Sequence, residues 1–510
     1  MKYCRYVILC VGVSAFAVQA HATDWLQFGF DAQHSGVNRS ERGYSTSGNQ
    51  LLFSVSVPEP LSTQPVYLSG VTTAQGLKDL VFFLGPSGTT YALDAATGAE
   101  VWHVWLSGAG YTPLRAGPAL DPNRQFIYSV GLDGKVHKLN VADGTEVVDS
   151  NWPEISSSKP TIERVTSALT IATSAAGQTY LLVTSGSFGD GGDYQGHVTS
   201  INLQSGAQKV FNALCSNLFE HFVENGSPGV TDCNYASFFN SPNGYGMAAM
   251  WSQAGAVYDA QTDKIYVSTG NGPFNANTGG MNWGDSLLAL NADASGSGMG
   301  WPTDSYTPTT FAMLYAQDLD LGLYSPAILP SSSAKYPHLA IQVGKDYCGR
   351  LINLDDMSGL HGPGHVGGEL NGSCYPFSSS NQIAVWIDPD DHTTRLFDNG
   401  NEQILTFDSN GNPSLTPGWQ VASTPSQSFL GTTAAVVANG TIYGVSPEAY
   451  VYAINAKDGT IEWSNEQFVG IGRWTAPIVI NGRIYIPVSG NNSYAVWAFA
   501  LDGVSKNGFE

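Results

Sequence analysis

The chain has 510 residues and a formal net charge of −21, and only 12% of its residues are charged, about half the usual share. So few charges exclude long solvated helices and coiled coils, and the 42% apolar content excludes a disordered chain. An acidic surface repels phosphate backbones, so a nucleic acid is not an expected partner. With 58 glycines and 11% aromatic residues, the composition is typical of a large all-β protein with many tight turns.

Residues 1–22 are predicted to be a cleaved signal peptide. Two basic residues precede an apolar run at 7–17, which is too short to span a bilayer. Ala20-His-Ala22 then fits the small-x-small cleavage pattern, so the mature chain is expected to start at about Thr23. No later apolar stretch is long enough for a transmembrane helix, so we expect no membrane span. The mature protein is therefore predicted to be periplasmic or secreted.

One unit recurs along the rest of the chain. Near the start it reads Tyr91-Ala-Leu-Asp-Ala-Ala-Thr-Gly-Ala-Glu-Val-Trp102, and near the end it reads Tyr452-Ala-Ile-Asn-Ala-Lys-Asp-Gly-Thr-Ile-Glu-Trp463. The Asp/Asn-x-x-Thr/Asp-Gly segment predicts a tight hairpin turn whose glycine takes a positive φ. The tryptophan follows on the next strand, where it can cover the space between neighbouring sheets.

Weaker copies fill the remaining chain, and with the two clear copies they make eight units. They lie at 125–147, 180–211, 264–293, 338–359, 394–419 and 483–503. This period predicts an all-β fold, an eight-bladed β-propeller of four-stranded antiparallel blades, in a single domain at 23–510. Residues 24–29 are expected to supply the strand that closes the last blade. The longest insertions, near 212–246 and 273–285, are expected to carry functional loops.

Four cysteines remain once the signal peptide is removed: Cys215, Cys233, Cys348 and Cys374. An even number in an oxidising compartment predicts two disulfides. Three pairings are possible, and Cys215–Cys233 with Cys348–Cys374 is favoured because each bond closes a short loop. The sequence has no Cys-x-x-Cys-His, so no covalently bound c-type haem is expected.

The repeat, together with WLQFGFDAQHSG at 25–36, resembles the pyrroloquinoline quinone (PQQ) propeller family over nearly the whole mature chain. That family includes quinoprotein alcohol dehydrogenases and cofactor-free relatives. In the dehydrogenases, PQQ and a calcium or lanthanide ion lie on the ring axis, and an Asp takes the alcohol proton. The resemblance implies an exported oxidoreductase that acts on an alcohol or a related polar small molecule. Because no haem is expected, electrons would pass to a separate exported acceptor.

Three segments resemble the family's metal-binding and proton-transfer positions. Asn271, at the end of Ile-Tyr-Val-Ser-Thr-Gly-Asn, resembles the Asn that gives its side-chain oxygen to the metal. Asp318 resembles the catalytic Asp, and Asp320 is expected to assist it and to bind the metal, as in lanthanide-type members. On a strand, this i,i+2 spacing points both carboxylates at one ion. Where the family has a metal-binding Glu, this chain offers Asp190 or Asp193 as the third ligand.

Basic and aromatic residues are the candidates for holding PQQ, which is a tricarboxylate. Lys345 resembles the family's Lys or Arg that contacts the quinone oxygens, and Arg115 resembles the Arg that pairs with a PQQ carboxylate. The position of the family's stacking Trp holds Gln253, and Trp251 lies two residues away as a substitute. Trp474 lies on a predicted inner strand, where it either lines the channel or packs between blades.

A second function stays open because the chain departs from the dehydrogenases. Those enzymes have a vicinal Cys–Cys disulfide against one face of PQQ, whereas the matching stretch here is Ser107-Gly-Ala-Gly-Tyr111. The alternative is a non-catalytic PQQ-like propeller that serves as a binding or assembly scaffold in the cell envelope. On that alternative, Asn271 and Lys345 are relics of the family.

Overall fold

The structure is a computed structural model that describes residues 23–41, 45–61, 63–108, 114–187, 194–223, 246–372, 374–377, 382–398, 400–421, 434–445, 450–465, 475–490 and 493–502. These residues form eight sheets, each built around antiparallel strands, which make an eight-bladed β-propeller. The predicted fold class is therefore confirmed.

Each blade contains four antiparallel strands that run in sequence order from the innermost strand outward, with blade 8 completed by a strand from the start of the chain. Two strands precede the first blade: β1 (Val37–Asn38) and β2 (Ser45–Val57). Blade 1 holds β3 (Val66–Thr73), β4 (Gly76–Leu84), β5 (Thr89–Asp94) and β6 (Glu100–Trp105), and blade 2 holds β7 (Ala119–Leu120), β8 (Phe126–Val130), β9 (Lys135–Asn140) and β10 (Glu154–Ile155). Blade 3 holds β11 (Glu163–Arg164), β12 (Thr170–Thr173), β13 (Thr179–Ser187), β14 (His197–Asn202) and β15 (Gln208–Asn212), where β11 is a short extra strand paired with β13. Blade 4 holds β16 (Val257–Asp259), β17 (Lys264–Ser268), β18 (Leu287–Asn291) and β19 (Asp304–Tyr306).

The second half of the ring repeats this arrangement. Blade 5 holds β20 (Ala327–Leu329), β21 (Leu339–Val343), β22 (Cys348–Asn353) and β23 (Tyr375–Pro376), and blade 6 holds β24 (Ala384–Ile387), β25 (Thr394–Asp398), β26 (Asn401–Phe407) and β27 (Pro413–Gln420). Blade 7 holds β28 (Val436–Ala438), β29 (Thr441–Val445), β30 (Val451–Asn455) and β31 (Ile461–Ser464), and blade 8 holds β32 (Ile478–Ile480), β33 (Arg483–Gly490) and β34 (Ser493–Asp502) with β2 as its fourth strand. One helix, α1 (Phe311–Gln317), lies between blades 4 and 5. Among the described residues, no helix is long and apolar enough to cross a membrane.

The recurring turn explains why the sequence folds into hairpins at this period. In blade 1, the N–H of Gly98 donates to the Asp94 carbonyl over 2.7 Å, and the Asp94 side chain accepts the N–H of Ala96 over 2.8 Å. Gly98 has a φ of +75°, a left-handed conformation that glycine adopts without a steric penalty. The side-chain acceptor and the glycine together fix the turn.

The repeated tryptophan joins one blade to the next. Trp102 of blade 1 donates its indole N–H to the Val141 carbonyl of blade 2 over 3.0 Å, and a Cβ at Gly144 would lie 2.7 Å from its ring. Trp419 of blade 6 lies in the same way over Gly459 of blade 7, where a Cβ would lie 2.6 Å from the ring. The turn glycine is thus required both by its φ and by the indole that covers it.

The closing strand differs from the one expected at 24–29. β2 (Ser45–Val57) pairs antiparallel with β34 and completes blade 8. Its second half alternates Phe53, Val55 and Val57 with serines, which is the pattern of a strand with one face on a sheet and one in solvent. Residues 24–29 lack that alternation, and Gly29 at φ +63° turns the chain away from an extended path.

Residues 24–38, which we name the N-terminal strap, instead run along the inner strands of the ring. Its hydrogen bonds reach blades 1, 2, 3, 4, 6, 7 and 8, through Trp25–Tyr67, Leu120–Leu26, Gln27–Ile171, Tyr258–Ala32, Val385–Ser35, Val437–Gly36 and Asn38–Val479. β1, the last part of the strap, pairs in parallel with β28. The strap therefore cross-links blades that are far apart in sequence.

Phe28 of the strap fills the middle of the ring. Its side chain is 3% exposed and packs with four alanines: Ala168, Ala254, Ala434 and Ala476. Each alanine lies just before the innermost strand of a different blade, namely blades 3, 4, 7 and 8. Because innermost strands surround the axis of a propeller, Phe28 occupies the axis.

One predicted disulfide is present in full among the described residues. Cys348 at the start of β22 bonds to Cys374, just before β23. Cys215 is also disulfide-bonded. Its predicted partner Cys233 lies outside the described residues, as do residues 1–22 of the predicted signal peptide.

Candidate functional site

The candidate residues of blades 4 and 5 lie on loops at one end of the ring. Asn271 follows β17 in blade 4, and Lys345 follows the equivalent second strand, β21, in blade 5. Asp318 and Asp320 lie on the connection that leads into the innermost strand of blade 5. Second strands run in the same direction in every blade, so these loops meet at one face.

The two carboxylates come together through a helix end and not through a strand. Asp318 is the C-terminal cap of α1, with a φ of +55°, and its backbone N–H donates to the Leu314 carbonyl. Asp320 immediately precedes a 3-10 turn at Leu321–Leu323. The expectation that the pair shares one face of a strand is therefore wrong, although both carboxylates do reach the same cation.

That cation is the ammonium group of Lys345. Its Nζ lies 3.0 Å from Asp318 Oδ1 and also forms an ion pair with Asp320 Oδ2. The Asp318 side chain is 47% exposed, whereas the Asp320 side chain is 10% exposed. The Lys345 N–H donates to the Asp320 carbonyl over 2.9 Å, which fixes the backbone of the lysine as well. The site thus has an open carboxylate and a buried one, joined by a single ammonium group.

Asn271 connects both carboxylates from blade 4. Its backbone N–H donates to Asp320 Oδ1 over 2.6 Å, and its side-chain Nδ2 donates to Asp318 Oδ1 over 2.8 Å. The remaining amide oxygen, Asn271 Oδ1, is buried and accepts no hydrogen bond. A buried acceptor without a donor is costly, so this oxygen has a free lone pair for a further partner.

Trp251 lies against the same group of residues. Lys345 Nζ is 5.5 Å from the centroid of the indole ring, within the range of a cation–π contact. A Cβ at Gly270 would lie 3.0 Å from Trp251 Nε1 and 2.3 Å from Asp320 Oδ1. Only glycine at 270 lets the indole and the buried carboxylate approach so closely.

Burial and pairing set the protonation of these groups. Burial raises the pKa of Asp320, and the attraction of Lys345 opposes that rise. Burial alone would lower the pKa of Lys345, but the attraction of Asp320 and Asp318 outweighs it, and the pKa is raised. Lys345 is therefore a permanent cation at neutral pH.

Sequence reasoning missed Asp285, which lies beneath the site. Its side chain is 1% exposed, Oδ1 accepts the N–H of Leu321 over 3.0 Å, and Oδ2 has no hydrogen-bond partner. Burial and the nearby Asp320 raise the pKa of Asp285 well above its usual range. The signal available in the sequence was its place at the end of the 273–285 insertion, where functional loops were expected.

Of the other candidates, the structure describes Arg115 alone. Arg115 is half-buried on the segment before β7 of blade 2, where its N–H lies 3.5 Å from the Val165 carbonyl. Asp190, Asp193 and Trp474 fall outside the described residues. The structure therefore brings together Asn271, Asp318, Asp320, Lys345 and Trp251.

The residues present fit a hard cation and an aromatic anion. Two carboxylates and the unpartnered Asn271 oxygen are the donors that calcium and lanthanide ions prefer. Lys345 and the face of Trp251 offer a positive charge and an aromatic surface to an anionic ring system. Within the described part of the chain, no three His, Cys, Asp or Glu side chains form a metal-binding group.

Comparison with known proteins identifies the relatives of the chain. Residues 45–220 and 410–506, more than half of the chain, match the family model PQQ_2, described as outer membrane protein assembly factor BamB. A comparison with curated protein sequences finds no match.

Several solved structures share the fold. The quinohemoprotein alcohol dehydrogenase ADHIIG from Pseudomonas putida HK5 has a TM-score of 0.61 at 16% identity, over 94% of this chain and 81% of that one. The quinohemoprotein alcohol dehydrogenase from Comamonas testosteroni has a TM-score of 0.61 at 15% identity, over 97% and 83%. A europium-containing methanol dehydrogenase has a TM-score of 0.62 at 14% identity, over 94% and 98%. At such identities the likeness shows the fold alone.

Proposed function

We propose that this protein, which belongs to the PQQ_2 family, is an exported quinoprotein-like oxidoreductase that oxidises an alcohol or a related polar substrate. The observation that carries the proposal is the group formed by Asn271, Asp318, Asp320 and Lys345, in which a buried amide oxygen has no partner. Such an arrangement costs stability, and proteins keep costly polar groups where function needs them.

Asp318 is the proposed base. Its carboxylate is the more exposed of the two, so a substrate hydroxyl can approach one oxygen while Lys345 and Asn271 hold the other. A general base accepts a proton through its ionised carboxylate, and the contacts with Lys345 and Asn271 orient that group. Asp320 is buried behind it and keeps Lys345 and the Asn271 backbone in place.

Asn271, Asp318 and Asp320, with Asp190 or Asp193, would hold a calcium or lanthanide ion, while Lys345, Trp251, Arg115 and Trp474 would hold PQQ. The bound group would supply the two-electron oxidant. Lys345 then has a second role, because a fixed positive charge stabilises negative charge that develops on an anionic partner. No c-type haem motif occurs in the sequence, so the proposal includes a separate exported electron acceptor.

The second candidate is a non-catalytic envelope scaffold that binds another protein through its loops. It is favoured by the description of the matching family as an outer membrane assembly factor. It is also favoured by the lack of a vicinal cysteine pair at 107–111.

Cofactor binding separates the two candidates. Purified protein is titrated with PQQ in the presence of Ca²⁺ or La³⁺, quinone absorbance is followed, and dye reduction is measured with a panel of alcohols. Lys345→Gln is expected to weaken PQQ binding, whereas Lys335→Gln, an exposed lysine of the same blade, is the matched control. Absence of both PQQ binding and dye reduction with either ion would refute the oxidoreductase and leave the scaffold.

A further inference from the structure

Asp285 is a buried carboxylate that the proposed chemistry does not use. It ends the 273–285 insertion, two residues before β18, and its side chain is 1% exposed. Within the described residues, no Lys, Arg or His forms an ion pair with it, and its Oδ2 has no hydrogen-bond partner. Burial of a carboxylate in this way destabilises a fold, so packing alone does not account for an Asp at this position.

Its hydrogen bonds join the two segments of the site. The Asp285 N–H donates to the Gly270 carbonyl over 2.9 Å, next to Asn271 in blade 4. Its Oδ1 accepts the Leu321 N–H over 3.0 Å, next to Asp320 in the connection to blade 5. One residue thus holds the neighbours of both Asn271 and Asp320.

The two segments are in close contact where Asp285 joins them. A Cβ at Gly322 would lie 2.5 Å from the carbonyl carbon of Thr269, so the two backbones touch. Ser268 Oγ donates to the Tyr324 carbonyl over 2.6 Å a little deeper in the ring. In such a junction, loss of a single hydrogen bond changes the relative position of the two segments directly.

We infer that Asp285 is a positioning residue that sets Asn271 and Asp320 at the spacing needed to bind a hard cation. The inference rests on the proposed function, since the cation is the one proposed above. Asp285 acts through its Oδ1 acceptor on the Leu321 amide and does not itself contact the ion. Partners of this kind orient metal ligands and contribute strongly to metal affinity.

Terbium luminescence tests the inference without any enzyme assay. Tb³⁺ is titrated into the full-length protein without PQQ, with Trp251 as a nearby sensitiser. Asp285→Ala removes the acceptor and is expected to raise the Tb³⁺ Kd by about 10–100-fold. Asp285→Asn keeps an oxygen that can accept the Leu321 N–H, so its Kd is expected to stay close to that of the native protein. Asp259→Ala is the matched control, a buried Asp of the same blade that caps the turn after β16.

The outcomes separate the inference from the proposed function. An unchanged Kd in Asp285→Ala refutes the positioning role, and an equal loss in Asp285→Asn refutes the hydrogen bond as its cause. If the native protein does not bind Tb³⁺, the proposed metal site is wrong. Hydrogen exchange tests the positioning of the two segments separately from the cation: faster exchange at Leu321 and Asn271 in Asp285→Ala supports a positioning role for Asp285, and unchanged exchange overturns it.

Discussion

Replacement of Phe28 by alanine is expected to leave an empty space on the axis of the ring. The side chain is 3% exposed and is surrounded by Ala168, Ala254, Ala434 and Ala476. Each alanine belongs to a different blade, so no single movement brings the four methyl groups together. The site is therefore one that collapses poorly after truncation.

The magnitude follows from that geometry. Phe→Ala in a core costs about 3–5 kcal/mol, and the cost rises with the volume of cavity that remains. Because the surrounding residues are already alanines on separate strands, we expect a loss near the upper end, about 4–5 kcal/mol. Equilibrium unfolding in guanidinium chloride measures it from the midpoint and slope.

A control and a second measurement sharpen the test. Phe219 is 60% exposed, so Phe219→Ala is expected to change the free energy of unfolding by no more than about 0.5 kcal/mol. An apolar cavity stays dry and binds benzene, so benzene is expected to raise the melting temperature of Phe28→Ala but not of the native protein. A loss below about 1 kcal/mol with no benzene effect would show that Phe28 does not fill the axis.

Lys345→Met leaves the buried Asp320 carboxylate without its cation and is expected to cost about 3–5 kcal/mol near neutral pH. Burial raises the pKa of Asp320, so the native state binds the carboxyl proton more tightly than the unfolded chain does, and stability falls as the pH rises. The stability lost in Lys345→Met should therefore shrink on acidification. An equal loss at all pH values would contradict the pairing of Lys345 with Asp320. Burial lowers the pKa of His221 to about 4, so stability should rise with pH between about 4 and 6.5, and His221→Gln should flatten that rise by about 1–2 kcal/mol in urea titrations. The double substitution Cys348→Ser and Cys374→Ser opens a loop with a sequence separation of 26. By the loop-entropy relation it is expected to lower the free energy of unfolding by about 3.5 kcal/mol, and a change below about 1 kcal/mol in the same unfolding assay would contradict this.

The blades could be predicted from the sequence because their determinants are local. The Asp94–Gly98 turn and the following Trp102 lie within a few residues of each other. The turn recurs in other blades, and the contact of the tryptophan with a turn glycine recurs between Trp419 and Gly459. The closing strand could not be predicted in this way. β2 pairs with β34, and no short-range pattern indicates which N-terminal segment reaches that edge.

The site was only partly predictable, for a related reason. The resemblance singled out Asn271, Asp318, Asp320 and Lys345, and the structure brings these four together. The geometric argument for the two carboxylates was wrong. They were expected to share one face of a strand, but Asp318 lies in a left-handed cap after α1. Asp285 was missed because its importance depends on a hydrogen bond to a residue 36 positions away.

The pairing of β2 with β34 has a consequence for how the protein becomes stable after synthesis. The four antiparallel strands of each of blades 1 to 7 are close in sequence, but blade 8 needs strands from opposite ends of the described chain. Closing so long a loop costs roughly 5 kcal/mol of chain entropy, which the β2 ladder and the strap contacts must offset together. Before that pairing forms, the chain is an open arc with two unpaired blade edges, and exposed edges of this kind favour aggregation. Its folding is therefore expected to finish in one late, slow step, when residue 502 becomes free to pair.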